Sequence, residues 1–176
     1  MKPMPPSKKT APVLDYPGSL DEMLAVSQSI DLSLLESIVD AAWSPPPPQG
    51  KGRSIAQIFA HIHNVRVMWL VAQKVRDPPA KLEAEGLTKV VMRKALEGSA
   101  SALRNVVRAA ASTPDGRVRD FKPNVAHFVA YLISHEAHHR GQITQLARAL
   151  GHAVDQKTMF GMWAWSTHRR AAGFAD

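Results

Sequence analysis

The chain contains no cysteine among its 176 residues. This absence excludes disulfide bonds, thiolate zinc sites and a cysteine nucleophile. A metal ion bound by the chain must therefore use nitrogen and oxygen ligands. Any thiol chemistry must use a thiol that comes from another molecule.

Long hydrophobic runs are also missing. No uncharged apolar run approaches the roughly 20 residues that a membrane-spanning helix needs. The first 17 residues are rich in proline and lysine and lack the apolar region of a signal peptide. We therefore expect a soluble cytoplasmic protein with no membrane partner.

Acidic residues are fewer than basic ones, and the formal net charge is +7. Lys2, Lys8 and Lys9 lie near the N-terminus, and the other basic residues are scattered along the chain. No basic stripe alternates with aromatic residues, and no nucleic-acid-binding motif is present. We expect a solvated basic surface and no nucleic-acid partner.

Strand patterns are absent, and four segments have the apolar spacing of amphipathic helices. Ser19 with Glu22 and Ser54 with Gln57 have the spacing of capping boxes. Gly151 suits the position after a helix. The predicted helices cover about 19–42, 54–75, 88–111 and 124–150.

These helices and their short polar connections predict an all-α fold, a four-helix bundle. Residues 1–18 are predicted to be a disordered, basic, proline-rich tail. Residues 19–176 are predicted to form one domain, with a short helical tail at about 159–170.

The most informative segment is His-Glu-Ala-His-His-Arg-Gly-Gln, at residues 135–142. His135 and His139 are four residues apart and share one face of the last long helix. Phe128, Leu132 and Ile143 share that face, so it should be buried. Two buried imidazoles need partners, and one metal ion would satisfy both.

Helix geometry favours His61 over His63 as the third ligand. On the second long helix, His61 lies about 60° from the centre of the apolar face and His63 about 140° from it. We therefore expect His61 to face the other two histidines and His63 to face solvent. The sequence predicts a metal site of His61, His135 and His139.

The other polar residues of the segment have competing interpretations. His138 lies at the edge of the apolar face, and either supports the site or binds water. Gln142 either orients a bound ligand or packs against another helix. Arg140 and Glu136 point away from His135 by about 140° and 100°, which favours surface or inter-helix contacts. We expect the remaining histidines to be structural or surface residues: His127, His152 and His168.

The last long helix resembles that of the DinB/YfiT-like family in the pattern His135-x-x-x-His139-Arg140-Gly141-Gln142. The run Ser54-Ile55-x-x-Ile58-x-x-His61-Ile62 resembles the family's second-helix ligand segment, and residues 161–165 resemble a common family ending. The resemblance extends from Leu20 onward. It implies a four-helix bundle, often dimeric, with a divalent metal on His61, His135 and His139.

Relatives in that family include bacillithiol S-transferases and mycothiol-dependent maleylpyruvate isomerases. The leading hypothesis is therefore a metal-dependent enzyme that uses a low-molecular-weight thiol on a small electrophilic substrate. Three histidines suit zinc, nickel or iron(II). Trp163 and Trp165 exceed what one bundle needs to cover its ends, so we also expect a homodimer.

Two other functions remain open. His135-Glu136-x-x-His139 matches the H-E-x-x-H pattern of zinc hydrolases, but no histidine lies six residues after His139. A non-catalytic metal-binding or stress-related bundle is the second alternative. A fourth protein ligand would favour a structural site, whereas an open coordination position would favour an enzyme.

Overall fold

The computed structural model describes residues 14–83 and 86–174. Helices dominate these ranges and no strand occurs in them, so the all-α prediction is confirmed. None of the described helices is long and apolar enough to cross a membrane. The helices are α1 (Tyr16–Ser37), α2 (Asp40–Trp43), α3 (Ile55–Ala72), α4 (Lys89–Ala111), α5 (Val125–Ala149), α6 (Gln156–Gly161) and α7 (Trp165–Ala171).

The first helix differs from its prediction at both ends. The Asp15 side chain accepts a hydrogen bond from the Gly18 backbone N–H at 3.0 Å, and Pro17 lies in the first turn. Ser19 is not the cap, because its hydroxyl donates to the Asp15 carbonyl. The helix ends at Ser37, and the short α2 follows after an extended break at Ile38. The predicted single helix is thus two helices.

The other long helices begin within one residue of their predicted starts. Ser54 and Gln57 form the predicted capping box at the start of α3. The side chains of Thr88 and Asn124 accept backbone N–H bonds at the starts of α4 and α5. Gly151 follows α5 with φ +83°, a left-handed conformation that favours glycine.

The C-terminal segment packs back on the first helix through His168 in α7. Its Nδ1 lies 3.0 Å from the Ser29 hydroxyl of α1, and its Nε2 lies 3.1 Å from the Gly161 carbonyl. His168 is therefore a buried structural residue, which agrees with its predicted role.

The four long helices enclose two apolar clusters. One cluster includes Leu34 of α1, Ile62 of α3 and Ile143 of α5. The other includes Leu24, Leu70 and Leu132 of the same three helices.

A buried layer of charged side chains lies between the two apolar clusters. Arg66 of α3 donates to Asp31 of α1 at 2.8 Å and to Glu136 of α5 at 2.7 Å. Arg140 of α5 donates to the second carboxylate oxygen of Asp31 at 2.7 Å. The Ser27 hydroxyl donates to Glu136 at 2.8 Å. These contacts join α1, α3 and α5 at one level and hold α5 in register with α3.

Candidate metal centre

His61, His135 and His139 come together between α3 and α5. Their nitrogen ligand atoms all lie within 4.8 Å of one another. The Nε2 atoms of His135 and His139 are 3.0 Å apart, and the ring centroids of His61 and His139 are 4.7 Å apart. Two ligands on one tetrahedral zinc ion lie about 3.4 Å apart, given metal–nitrogen bonds of about 2.1 Å. The donor set therefore fits a single divalent ion after small side-chain adjustments.

Solvent reaches one side of this cluster. His139 is 5 % exposed, whereas His61 and His135 are half-buried. Within residues 14–83 and 86–174, the cluster contains no carboxylate and no fourth histidine. His61 and His135 therefore expose one side of the cluster to solvent.

Gln142 fixes the orientation of His139. Its amide nitrogen lies 2.9 Å from His138 Nε2, and its carbonyl oxygen lies 2.8 Å from His139 Nδ1. His139 therefore donates from Nδ1 to Gln142, which leaves the Nε2 lone pair directed at the other two histidines. Gln142 thus orients a predicted ligand side chain, whereas the sequence suggested only a bound ligand or helix packing.

The three imidazoles favour their neutral forms. Burial, with the nearby His139 and His61, lowers the pKa of His135 to about 4. Burial and the positive charge of Arg53 lower the pKa of His61. Burial also lowers the pKa of His139, although the bond to Gln142 acts in the opposite direction. Neutral imidazole is the form that binds a metal ion.

His63 is buried, and its predicted exposure is wrong. The residue is 1 % exposed. Its Nε2 lies 2.9 Å from the Ala80 carbonyl, and its Nδ1 lies 3.1 Å from the Ser99 hydroxyl. The helical wheel assigned one buried face to α3, but α4 and the segment 78–83 cover a second face. His63 joins those elements and takes no part in the histidine cluster.

Glu136 and Arg140 form inter-helix contacts, one of the two alternatives that their direction on α5 left open. Glu136 is 3 % exposed, and its two carboxylate oxygens accept bonds from Arg66 and Ser27. Sequence reasoning missed two members of this network, Asp31 and Arg66. A signal was available, because each is a charged residue on the apolar face of its helix.

The other histidines lie apart from the cluster. His127 and His152 are exposed, and His127 bonds to the Asn124 side chain at the start of α5. His138 is exposed and contacts the cluster only through its ring edge and Gln142. None of the three joins the group of potential ligands.

The sequence model of the DinB family matches residues 20–170. The chain belongs to the DinB family. The match includes all three clustered histidines of this DinB protein and agrees with the resemblance drawn from residues 135–142. No curated protein and no solved structure matches the chain.

Proposed function

We propose that this DinB protein is a metal-dependent enzyme that transfers or isomerises a small electrophilic substrate with the help of a low-molecular-weight thiol. The single observation that carries the proposal is the solvent-accessible cluster of His61, His135 and His139, whose ligand atoms lie within 4.8 Å. We propose these three as the ligands of one zinc, nickel or iron(II) ion.

When bound, such an ion supplies Lewis-acid chemistry, which lowers the pKa of a thiol or water beside it. Three neutral imidazoles leave the ion's charge uncompensated, because no carboxylate of the described residues belongs to the cluster. The chain has no cysteine, so the thiol must come from outside.

Residues around the cluster support the same function. Gln142 accepts a hydrogen bond from Nδ1 of His139, so Nε2 of His139 is directed inward. Arg53 lies near enough for its charge to lower the pKa of His61 and His139. A positive charge at this position attracts an anionic thiol or an acidic substrate.

A hydrolase of the H-E-x-x-H type is less well supported. In that mechanism the glutamate acts as general base and needs a free carboxylate oxygen at the metal. Here Arg66 and Ser27 occupy both oxygens of Glu136 inside the protein. Glu136 is thus a structural residue of the ion network.

Metal content tests the proposed ligands. The protein should contain close to one equivalent of divalent metal by elemental analysis, and His61→Ala or His139→Ala should lose it. The matched control is His127→Ala, which removes an exposed histidine from the same helix as His139 and should keep the metal. Loss of the metal in all three variants, or in none of them, would contradict the assignment of the histidine cluster as the metal ligands.

Thiol consumption tests the enzymatic function. The metal-loaded protein should accelerate the reaction of cysteine, glutathione or bacillithiol with chlorodinitrobenzene, a small electrophile, and His139→Ala should not. Full metal occupancy without acceleration across thiol and electrophile panels would favour a non-catalytic metal-binding protein.

A further inference from the structure

A cavity lies between α1, α5 and the segment that joins α6 to α7. Its volume is about 460 Å³, which lies in the range of small-molecule pockets. Apolar side chains form most of its wall, among them Met23, Ile30, Ile133, Met162, Trp163 and Trp165.

This cavity is separate from the histidine cluster. Ile133 and Arg140 line it, and they lie about 160° and 140° around α5 from His135. The two sites are therefore on nearly opposite faces of the same helix. A ligand in the cavity would not contact the proposed metal ligands.

Gly141 forms part of the cavity wall in the middle of α5. A Cβ atom at this position would meet no atom within 4 Å. Glycine inside a helix costs roughly 0.5–1 kcal/mol relative to alanine. The chain therefore keeps open space here at a cost in helix stability, although a Cβ atom would not clash.

Arg140 is the one charged residue in the described lining of this cavity. Its Nη1 donates to Asp31 at 2.7 Å and to Ser27 at 3.3 Å. Its Nε and Nη2 donate to no residue within the described ranges, and the side chain is 12 % exposed. A fixed guanidinium with free donors beside an apolar wall suits a carboxylate that has an apolar body.

We propose that this cavity binds a small amphipathic carboxylate. The carboxylate accepts hydrogen bonds from Arg140, and the apolar body packs against the methionines and the indole rings of Trp163 and Trp165. Asp31 keeps Arg140 in place, so the cation is oriented before the ligand arrives. The proposal does not depend on metal binding.

Octanoate is a suitable probe for the full-length chain, and octan-1-ol is its uncharged counterpart. Calorimetry should show one octanoate per chain, bound at least tenfold more tightly than octan-1-ol. The chain has four tryptophans. In ¹H–¹⁵N spectra, octanoate should shift the indole signals of Trp163 and Trp165 and leave those of Trp43 and Trp69 in place.

Gly141→Leu adds a side chain to the cavity wall while Arg140 itself is unchanged, and it should weaken octanoate binding at least tenfold. Gly98→Leu is the matched control, because Gly98 also lies in the middle of a long helix with open space around it. That variant should bind octanoate like the wild type. Gly141→Ala adds one methyl group and should give a smaller loss if Gly141→Leu fails to fold.

Two results would overturn the proposal. Equal affinities for octanoate and octan-1-ol would show that Arg140 does not bind the carboxylate. Equal losses of octanoate affinity in Gly98→Leu and Gly141→Leu would show that octanoate does not bind in this cavity.

Discussion

At the scale of single residues, the proposed metal centre depends on which nitrogen of each histidine faces inward. For His139 the choice is made by Gln142, whose own orientation is set by His138. Contacts of this kind hold a metal ligand in its binding geometry before the ion arrives. The exposed Gln142 therefore belongs to the site although it does not contact a metal itself.

Gln142→Leu should weaken metal affinity by about 10–100-fold while leaving the fold intact, since it removes the acceptor that orients His139. Competition with a chelating dye measures the change. Gln145→Leu removes an exposed glutamine one turn later on α5 and should have no effect. Equal affinity of both variants would show that His139 needs no such partner.

His63 shows what a sequence cannot tell about a single residue. Its place on α3 is clear from the sequence, but its burial comes from α4 and the irregular segment 78–83. Burial lowers the pKa of His63, although backbone bonds to Ala80 and Ala95 act in the opposite direction. Neutral His63 in the folded state binds fewer protons than the same residue in the unfolded chain.

The free energy of unfolding of the metal-free protein should therefore fall as pH decreases below about 6.5, the ordinary pKa of histidine. The free energy of unfolding falls because, as pH decreases, His63 takes up a proton in the unfolded chain at a higher pH than in the folded protein. Urea unfolding between pH 7.5 and 5.5 measures the slope, which should be smaller in His63→Gln. If the free energy of unfolding of His63→Gln depends on pH as steeply as that of the wild type, groups other than His63 cause the dependence.

At the scale of elements, apolar periodicity located the starts of three long helices. Ser54 caps α3 as its capping box predicted, and α4 and α5 follow Thr88 and Asn124, the predicted starts. The start of α1 was missed because Asp15, not Ser19, caps it. The break between α1 and α2 was missed because no proline or glycine marks it; the apolar pattern continues through Ile38 and Ala42.

The charged layer of Asp31, Arg66, Glu136 and Arg140 could be seen only in part from sequence. Periodicity left surface and inter-helix contacts open for Glu136 and Arg140, and it cannot pair residues from three helices. The layer matters to the site because Glu136 is the neighbour of His135 on α5. Its contact with Arg66 keeps α3 and α5, the two helices that carry the clustered histidines, in register.

Arg66→Met should destabilise the protein by about 3–5 kcal/mol, because it leaves two buried carboxylates without their shared cation. Arg93→Met is the control: Arg93 pairs with Glu36 and Glu97 at the surface, and its loss should cost less than about 1 kcal/mol. Urea unfolding compares the two. Similar costs would mean that the buried layer contributes no more than a surface pair.

At the scale of the whole molecule, the fold class and the three proposed ligands followed from sequence, because helical periodicity fixes which residues share a face. The cavity beside Arg140 could not be predicted from sequence, because residues after α5 form part of its wall and periodicity does not say where that segment packs. The predicted N-terminal tail, at residues 1–18, lies mostly outside the described residues. Only its last residues are described, and they begin α1.

We propose that the protein is a homodimer, because Phe160 and Trp163 are 67 % and 84 % exposed and lie close together in sequence. Sedimentation at micromolar concentration should give the mass of two chains. Phe160→Ser with Trp163→Ser should shift it to one chain, whereas Val71→Ser, an exposed apolar residue of α3, should not. A wild-type monomer would contradict the proposal.

The most direct test of the whole account is the visible spectrum of the cobalt-substituted protein. We expect intense bands from cobalt in a site of low coordination number, and none in His139→Ala. Cysteine or glutathione should add thiolate-to-cobalt charge transfer, and the change should grow as pH rises, because the thiolate is the ligand. An unchanged spectrum at saturating thiol would contradict an open, thiol-accepting centre on His61, His135 and His139.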